Sequence, residues 1–231
     1  MKVDLHIHSA LSPCANDDMT PHNIVNMARL AGLECISVCD HNSFAQQKMM
    51  AHVAHELGMK YVYGIEVQSV EDVHICIYFL EEEKGALFGQ WVYEHLLPIE
   101  NDIRYFGNQW ICNALDEFVN QEKRLLIQSI DQGIASIADR AHELGGIVSL
   151  AHVCDKTNSI LTQLGFIPEN LRFDMIEVKN EPQKEKVLRM HPWIQDPFWV
   201  RNSDAHYLQD IGIYEDEIDE KKFYDLWRKA L

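Results

Sequence analysis

The chain opens with the stretch VDLHIH, residues 3–8, and a second histidine motif, SDAH, stands at residues 203–206. An apolar strand that ends in His-x-His places both imidazoles on one side, because side chains alternate with period two along a strand. Two neutral imidazoles side by side can start a divalent metal site. The Asp-x-His motif near the other end would complete such a site if the chain closes into a barrel.

Length and composition favour a single α/β barrel with a sizeable core. The chain has 231 residues, of which 47% are hydrophobic, and a formal net charge of −16. Such a charge argues against broad binding to DNA, RNA or anionic membranes, which depends on basic surface. It does not exclude an anionic substrate, because bound metal ions dominate the field around them.

Cysteine usage and the lack of long apolar runs indicate the compartment. The six cysteines form no Cys-x-x-Cys pair, and four of them stand in apolar stretches, which is typical of reduced core thiols. No apolar run reaches transmembrane length, and the start MKVDLHIH has no apolar core like that of a secretory signal. These features predict a cytoplasmic protein without a membrane partner.

Short apolar runs alternate with helical patterns, which predicts βα units and a mostly parallel sheet. The predicted strands are VDLHIH, CISVCD, KYVYGIEVQS, VHICIYFL, GIVSLAH, DMIEVK and FWVRNSD, the third and fourth forming a hairpin. Helices are predicted over residues 20–31, 43–57, 130–146, 159–164, 183–190 and 219–231, and the glutamate run 81–83 is predicted to be a solvated loop. Since no linker interrupts the alternation, we expect one domain over residues 1–231 with a less regular insertion at about 85–129.

Further ligand-type residues stand at or beside the apolar runs, namely Asp40, His41, Glu66, His74 and His152. Most of them follow the carboxyl end of a predicted strand, which in a closed barrel is the catalytic face. Glu66 within an apolar strand needs a cation, because a buried carboxylate is costly without a partner. For His74, a hydrogen-bonded core histidine remains an alternative to a metal ligand.

Six motifs in order, DLHIHS, CDHN, GIEV, VHICIYF, LAHV and NSDAH, resemble the polymerase and histidinol phosphatase (PHP) family of metal-dependent phosphoesterases. The resemblance runs from residue 2 to about residue 206, and the ordered set is more specific than any single motif. It implies a distorted (β/α)7 TIM-like barrel. It also implies two or three divalent ions, usually zinc, manganese or iron, at the carboxyl ends of the strands.

The resemblance further implies which residues hold the ions. The first ion would take His6, His8, Glu66 and Asp204, and Glu66 would bridge to a second ion on His74 and His152. A third ion would take His41, His206 and a loop ligand, which stays open between Cys14, Asp17 and Asp18. Asp40 would orient an imidazole through a hydrogen bond. The expected catalytic groups are Glu66, Asp204, His206 and Asp40.

The predicted reaction is hydrolysis of a small phosphate monoester or a nucleotide phosphoester by a metal-bound hydroxide. The substrate phosphate should also meet a cation or donor from a nearby loop, and the candidates are Lys156, Arg201, Lys179 and Asn180. One alternative is an amidohydrolase-type metal hydrolase acting on an amide or lactone, a class that also begins with His-x-His. The other alternative is a non-catalytic, metal-stabilised PHP domain that binds or regulates a partner.

Overall fold

Strands and helices alternate along most of the chain, as the sequence predicts. The structure is a computed structural model that describes residues 1–214 and 216–230, with side chains up to residue 228 in the last helix. Its strands are β1 (Lys2–Ile7), β2 (Cys35–Val38), β3 (Lys60–Tyr61), β4 (Tyr63–Gln68), β5 (His74–Phe79), β6 (Trp110–Cys112), β7 (Phe118–Gln121), β8 (Ile147–Leu150), β9 (Met175–Glu177), β10 (Phe198–Val200) and β11 (Asp216–Glu217). Its helices are α1 (Pro21–Leu30), α2 (Gln47–Glu56), α3 (Glu82–His95), α4 (Ile103–Phe106), α5 (Ile134–Glu143), α6 (Ile160–Gln163), α7 (Glu181–Met190) and α8 (Glu220–Ala230).

Two main sheets hold most of the strands, in the orders β11-β1-β2-β3 and β10-β9-β8-β5-β4. The pairs β1–β2, β2–β3, β8–β9 and β9–β10 are parallel. Strand β5 runs antiparallel to both of its neighbours, β4 and β8, and it forms the predicted hairpin with β4. The α/β fold class is therefore confirmed, with an antiparallel strand inside an otherwise largely parallel arrangement.

Single bridges join the two sheets on both sides. Ile7 at the end of β1 pairs with Ala205 beyond β10, and His41 beyond β2 pairs with Glu66 in β4. Within the described residues, the ladders are two sheets joined by these bridges rather than one continuous ring. The bridges bring the chain segments that follow β1, β2 and β10 to one edge, together with the end of β4.

The central strands are buried on both faces, which is typical of a sheet covered by helices. Every residue of β5 is buried, and so is every residue of β8. On one face of β5, Ile75 and Ile77 share an apolar cluster with Ile137 of α5. On the other face, Tyr78 belongs to a second cluster with Phe223 of α8. Because side chains alternate along β5, the strand contributes residues to one apolar cluster on each of its two faces.

Several helices differ from the sequence prediction: α5 begins at Ile134 rather than near residue 130, and α7 begins at Glu181 rather than at residue 183. Helix α2 begins at Gln47 rather than near residue 43. The Gln47 amide donates to the Val38 carbonyl at 2.8 Å and accepts from the Gly64 N–H at 3.1 Å, so it ties the helix start to β2 and β4. The glutamate run 81–83 is not a loop, since Glu82 opens α3, where acidic side chains suit the positive end of the helix dipole.

The hairpin β6–β7 is the part of the predicted insertion that the sequence did not reveal. The Trp110 N–H donates to the Ala10 carbonyl at 2.8 Å, and the Cys112 N–H donates to Gln46 Oε1 at 2.8 Å. These bonds hold the hairpin against the loops that follow β1 and β2. The single domain over 1–231 and the limits of the insertion at 85–129 stay predictions. No described helix combines the length and apolar character needed to cross a membrane.

Candidate metal centre

The two histidines of β1 point to the same side and lie at the edge where the two sheets are bridged. Both side chains are fully buried, and the Nε2 atoms of His6 and His8 are 3.3 Å apart. Around them lie the other predicted ligands. We call this set the candidate centre: His6, His8, His41, Glu66, His74, His152, Asp204 and His206.

Glu66 on β4 lies at the middle of the candidate centre. Its Oε1 is 2.9 Å from His74 Nδ1 and 3.2 Å from His152 Nε2. Its Oε2 is 2.9 Å from His41 Nδ1 and 3.4 Å from His8 Nε2. Each carboxylate oxygen therefore faces a different group of imidazoles, which is the arrangement of a carboxylate that bridges two ions.

Asp204 supplies the second carboxylate, from the segment after β10. Its Oδ1 lies 3.2 Å from His8 Nε2 and 3.6 Å from both His6 Nε2 and His206 Nδ1. The backbone of Asp204 has φ 52°, and that of His152 has φ 30°. Left-handed backbone at residues other than glycine costs free energy and is concentrated at functional sites.

The direction of β5 explains why His74 joins the others. It is the first residue of its strand, whereas the other ligands stand near or beyond the carboxyl ends of their strands. Because β5 is antiparallel to β4, its first residue pairs with Gln68, the last residue of β4. The start of β5 therefore lies at the edge where Glu66 and its neighbours emerge.

Both carboxylates of the candidate centre are held in the charged form. Burial raises the pKa of Glu66, but the nearby imidazoles, His74 first, outweigh it and hold this pKa well below its usual range. Burial also opposes the ionisation of Asp204, and there His6 and His8 bring the pKa well below its usual range. Ionised carboxylates among imidazoles are a donor set suited to borderline divalent ions.

The pKa values of the two histidines of β1 are shifted in opposite directions. Burial lowers the pKa of His6, but Glu66 and Glu177 outweigh it, so this pKa lies well above its ordinary value. Burial lowers the pKa of His8 as well, and the neighbouring His206 ring adds to it, so this pKa lies well below its ordinary value. Since a metal-binding imidazole must be neutral, an ion entering here would displace a proton from His6 but not from His8.

The donor set fits a metal ion on geometric grounds. Three groups have ligand atoms within 4.8 Å of one another: His8–His41–His206, His6–His8–Glu66 and His41–Glu66–His74. His74 Nε2 lies 3.3 Å from Gln68 Oε1, an oxygen that can only accept, so the lone pair on His74 Nδ1 faces the Glu66 carboxylate. In addition, Glu66 Oε2 is buried and accepts no well-aligned hydrogen bond from the described residues, although His41 Nδ1 lies 2.9 Å away. The lone pair of His74 Nδ1 faces a carboxylate, and one oxygen of that carboxylate has no well-aligned donor. Both features favour a bound cation at this position.

Glu177 is a functional candidate that the sequence prediction missed. Its Oε2 lies 3.0 Å from His6 Nδ1 and accepts from Asn202 Nδ2 at 2.9 Å, while its Oε1 accepts from the His152 N–H at 3.2 Å. A carboxylate on Nδ1 fixes the tautomer that turns the Nε2 lone pair toward the candidate centre. A signal was present, because Glu177 in the apolar strand MIEV repeats the pattern of Glu66 in GIEV.

Asp40 contacts an imidazole of the candidate centre indirectly, through a serine hydroxyl group. It accepts from the Ser9 hydroxyl at 2.6 Å and from the Ser12 hydroxyl at 2.7 Å. The Ser12 oxygen lies 3.0 Å from His8 Nδ1, and because its proton goes to Asp40 it must accept from that nitrogen. Asp40 thus orients His8 through Ser12, a residue that nothing in the sequence distinguished from other serines.

The loop after β1 places Cys14, and not the two aspartates, beside the third group of ligands. The Cys14 thiol interacts with both His41 and His206. Burial raises the pKa of this thiol, but the two imidazoles outweigh it and lower the pKa to about 6. Asp17 is exposed and accepts from Asn108 Nδ2 at 3.0 Å, and Asp18 is exposed as well.

The four predicted substrate-binding residues fall into two groups. Lys156 lies at the candidate centre, with Nζ 3.1 Å from Asp204 Oδ2. Lys179 forms an ion pair with Asp155, the residue before Lys156 in the chain. Asn180 uses its side-chain oxygen to cap α7, accepting from the Gln183 N–H at 3.0 Å, and its substrate role stays a prediction. Arg201 is half-buried, and its N–H donates to Asp216 Oδ2 at 2.8 Å.

Comparison with known sequences gives little beyond a partial relative. No family model matches the chain. An uncharacterized protein of Methanocaldococcus jannaschii is 29% identical over 90 residues, which cover 36% of this chain and 53% of that protein. The match thus spans about half the length of that curated relative.

Solved structures resemble almost the whole chain at low identity. A lesion-specific endonuclease from Pyrococcus furiosus, Endonuclease Q, superposes with a TM-score of 0.67 at 16% identity, over 97% of this chain and 55% of the endonuclease. A presumed metal-dependent phosphoesterase from Bifidobacterium adolescentis gives 0.65 at 16% identity, over 99% and 96%. An amidohydrolase from Chromobacterium violaceum with bound sulfate gives 0.63 at 16% identity, over 100% and 96%. At such identity these likenesses show the fold, and they support the family resemblance at that level.

Proposed function

We propose that this chain is a metal-dependent hydrolase, and more narrowly a phosphoesterase that cleaves a small phosphate monoester or a nucleotide phosphoester. The observation that carries the proposal is the convergence of six imidazoles on two buried, ionised carboxylates at one edge of the sheets. We further propose that the two bridged sheets act as one distorted (β/α)7 TIM-like barrel and that one domain spans residues 1–231.

The contacts suggest how two or three ions would divide the donors. The first ion would take His6, His8, one Glu66 oxygen and Asp204. The second would take Glu66 with His74 and His152. The third would take His41 and His206, with Cys14 as the loop donor, since its thiol interacts with both rings. Zinc, manganese and iron all suit imidazole and carboxylate donors, and a thiolate would favour zinc.

When bound, such ions acidify a water molecule and clamp phosphate oxygens during in-line attack. The chain's own residues prepare the site for this. Glu66 and Asp204 carry the negative charge that offsets repulsion between neighbouring ions. Glu177 and the Ser12–Asp40 pair hold His6 and His8 with their Nε2 lone pairs facing inward. His206, with a side chain 21% exposed, lies where the candidate centre meets solvent, and its Nδ1 lies 2.8 Å from the Asp204 carbonyl, so its Nε2 is the nitrogen that could hold an ion.

We propose that water attacks phosphorus directly, without a covalent enzyme intermediate. The hydroxyl groups of Ser9 and Ser12, in the loop after β1, both donate to Asp40 and are held by it. One in-line displacement inverts the configuration at phosphorus, whereas two would retain it. Hydrolysis of a chiral thiophosphate ester in labelled water distinguishes them, and net retention would contradict direct attack.

The amidohydrolase alternative rests on the Chromobacterium violaceum neighbour, whose fold matches as well as that of the phosphoesterase neighbour. The presence of a third ligand group around His41 and His206 favours the phosphoesterase, because extra charge suits a phosphate more than an amide. A non-catalytic binding role is less well supported, because the ligand set around Glu66 is complete. Endonuclease Q acts on damaged DNA, but the net charge of −16 argues against broad nucleic-acid binding by this chain.

Metal counting combined with a substrate panel tests the proposed function. The purified chain should contain two or three transition-metal ions and hydrolyse p-nitrophenyl phosphate, nucleoside monophosphates or short oligonucleotide ends in preference to amides and lactones. His6→Ala should lose most of the metal and the activity. The matched control is His52→Ala, since His52 is exposed on α2 and pairs only with Glu56 at 3.5 Å. Unchanged metal content in His6→Ala would overturn the assignment.

A further inference from the structure

The loop after β8 carries one lysine into the candidate centre, and the loop is anchored at both ends. At its start, the Val153 N–H donates to the Glu177 carbonyl at 3.2 Å. At its end, the His74 N–H donates to the Asn158 carbonyl at 2.9 Å, and the Ser159 N–H donates to the Lys156 carbonyl at 3.1 Å. The backbone of Lys156 is therefore positioned by residues of the candidate centre and their supports.

Asp204 divides its two oxygens between the buried imidazoles and this lysine. Its Oδ1 faces the rings, 3.2 Å from His8 Nε2, whereas its Oδ2 lies 3.1 Å from Lys156 Nζ. The Asp204 side chain is 7% exposed, and the Lys156 side chain is 44% exposed. The ammonium group therefore stands at the opening of the candidate centre, between buried carboxylate and solvent.

The neighbouring charges leave this ammonium available. Asp155, the residue before Lys156, forms an ion pair with Lys179, so its carboxylate already has a cation of its own. An ammonium has three N–H donors, and one of them suffices for Asp204 Oδ2. The other two can reach an anion that enters from solvent, in a chain whose charge of −16 otherwise repels it.

We propose that Lys156 binds the phosphate group of the substrate and that the substrate is a phosphate monoester rather than an internal diester. The inference rests on the proposed function and deepens it. A monoester phosphate carries two negative charges and three terminal oxygens, so it can occupy the metal ions and still offer an oxygen to Lys156. A diester phosphate carries one charge and two terminal oxygens, and the lysine adds less to its binding.

The experiment compares Lys156→Met, Lys156→Arg and wild type on the full, metal-loaded chain. It measures metal content by elemental analysis, the affinity for inorganic phosphate by calorimetry, and KM for p-nitrophenyl phosphate and bis(p-nitrophenyl) phosphate. Lys156→Met should keep its metal, bind phosphate about tenfold more weakly and raise the monoester KM by a similar factor, as expected for one lost charge-assisted hydrogen bond. The diester KM should change much less, and Lys156→Arg should restore most of the phosphate affinity. Lys84→Met is the control. Lys84 lies on α3, forms an ion pair with Glu81, and has a side chain that is exposed to a similar extent as that of Lys156.

Three outcomes would overturn the inference. Unchanged phosphate affinity in Lys156→Met would show that Lys156 does not bind the phosphate. Loss of a metal ion in that variant means that the lysine acts through Asp204 and not on the substrate. An equal rise in KM for monoester and diester removes the monoester assignment. If the wild type binds phosphate through Lys156 but hydrolyses no ester, the proposed function fails while the subsite stands.

Discussion

The two histidines of β1 are two residues apart, yet the two sides of the candidate centre hold them by different means. On one side, His6 Nδ1 lies 3.0 Å from a carboxylate oxygen of Glu177. On the other side, His8 Nδ1 donates to the Ser12 hydroxyl at 3.0 Å, and the Ser12 hydroxyl in turn donates a hydrogen bond to Asp40 at 2.7 Å. A carboxylate that contacts an imidazole directly makes the ring a stronger electron donor than a neutral hydroxyl does.

The two supports also differ in where the backbone places them. Glu177 is the last residue of β9, and the pairing of β9 with β8 and β10 fixes its backbone. The Asn202 side-chain amide donates to the Glu177 carboxylate and helps to orient it. Ser12 lies in a turn after β1, where its N–H donates to the Ser9 carbonyl at 3.0 Å. The difference teaches that one side of the candidate centre is built on strands and the other on a loop. We therefore expect the His6 side to hold metal more tightly.

The largest effect should come from the residue that both sides share. Glu66→Gln removes the charge that faces imidazoles on both of its oxygens, so metal affinity should fall by more than the roughly 100-fold upper range for a supporting residue. Metal counting after dialysis against a weak chelator measures it. The control is Glu94→Gln, an exposed glutamate on α3. Wild-type stoichiometry in Glu66→Gln would show that the two sides do not share a bridging group.

The next largest effect should come from the strand-borne support. Glu177→Gln keeps the shape and can keep a contact to His6, but it removes the charge behind the ring. Metal affinity should fall about 10–100-fold, the range for carboxylates that support metal-binding histidines. Competition with a chromophoric chelator measures this change. If Glu177→Gln lowers metal affinity by less than substitutions at Ser12 or Asp40 do, the expected order of the two sides is wrong.

The sequence singled out the residues that meet in the candidate centre better than the residues that hold them in place. The His-x-His motif and Glu66 stand out because a buried ionisable side chain in an apolar strand requires a charged partner or a metal ion. Glu177 follows the same rule but is not among the predicted residues. The role of Ser12 and the pairing of β5 with β8 were out of reach, because they depend on contacts between distant segments. His6 and Glu177, for example, are 171 residues apart in the chain.

A smaller effect is expected on the loop side. Ser12→Ala and Asp40→Asn should each lower metal affinity by about tenfold, the lower end of the supporting range, because each interrupts one relay to His8. Since both act on the same relay, the double variant should cost little more than either single one. Chelator competition on the three variants measures the coupling. Full additivity would show that Asp40 supports the site by a route other than Ser12.

The smallest effect concerns Cys14, which ends the loop side and whose chemistry depends on pH. Burial raises the pKa of this thiol, but His41 and His206 outweigh it and lower the pKa to about 6, whereas burial raises the pKa of the Cys112 thiol to about 12. In metal-free protein, alkylation of Cys14 by iodoacetamide should therefore rise through about pH 6 and level off near neutrality, since the thiolate is the reactive form. Cys112 should stay unmodified over the same range, and added zinc should protect Cys14 if its sulfur is the loop ligand. Mass spectrometry of the labelled peptides reports both sites. A labelling rate for Cys14 that still climbs at about pH 8.5, as for an ordinary thiol, would contradict the placement of the two imidazoles beside it.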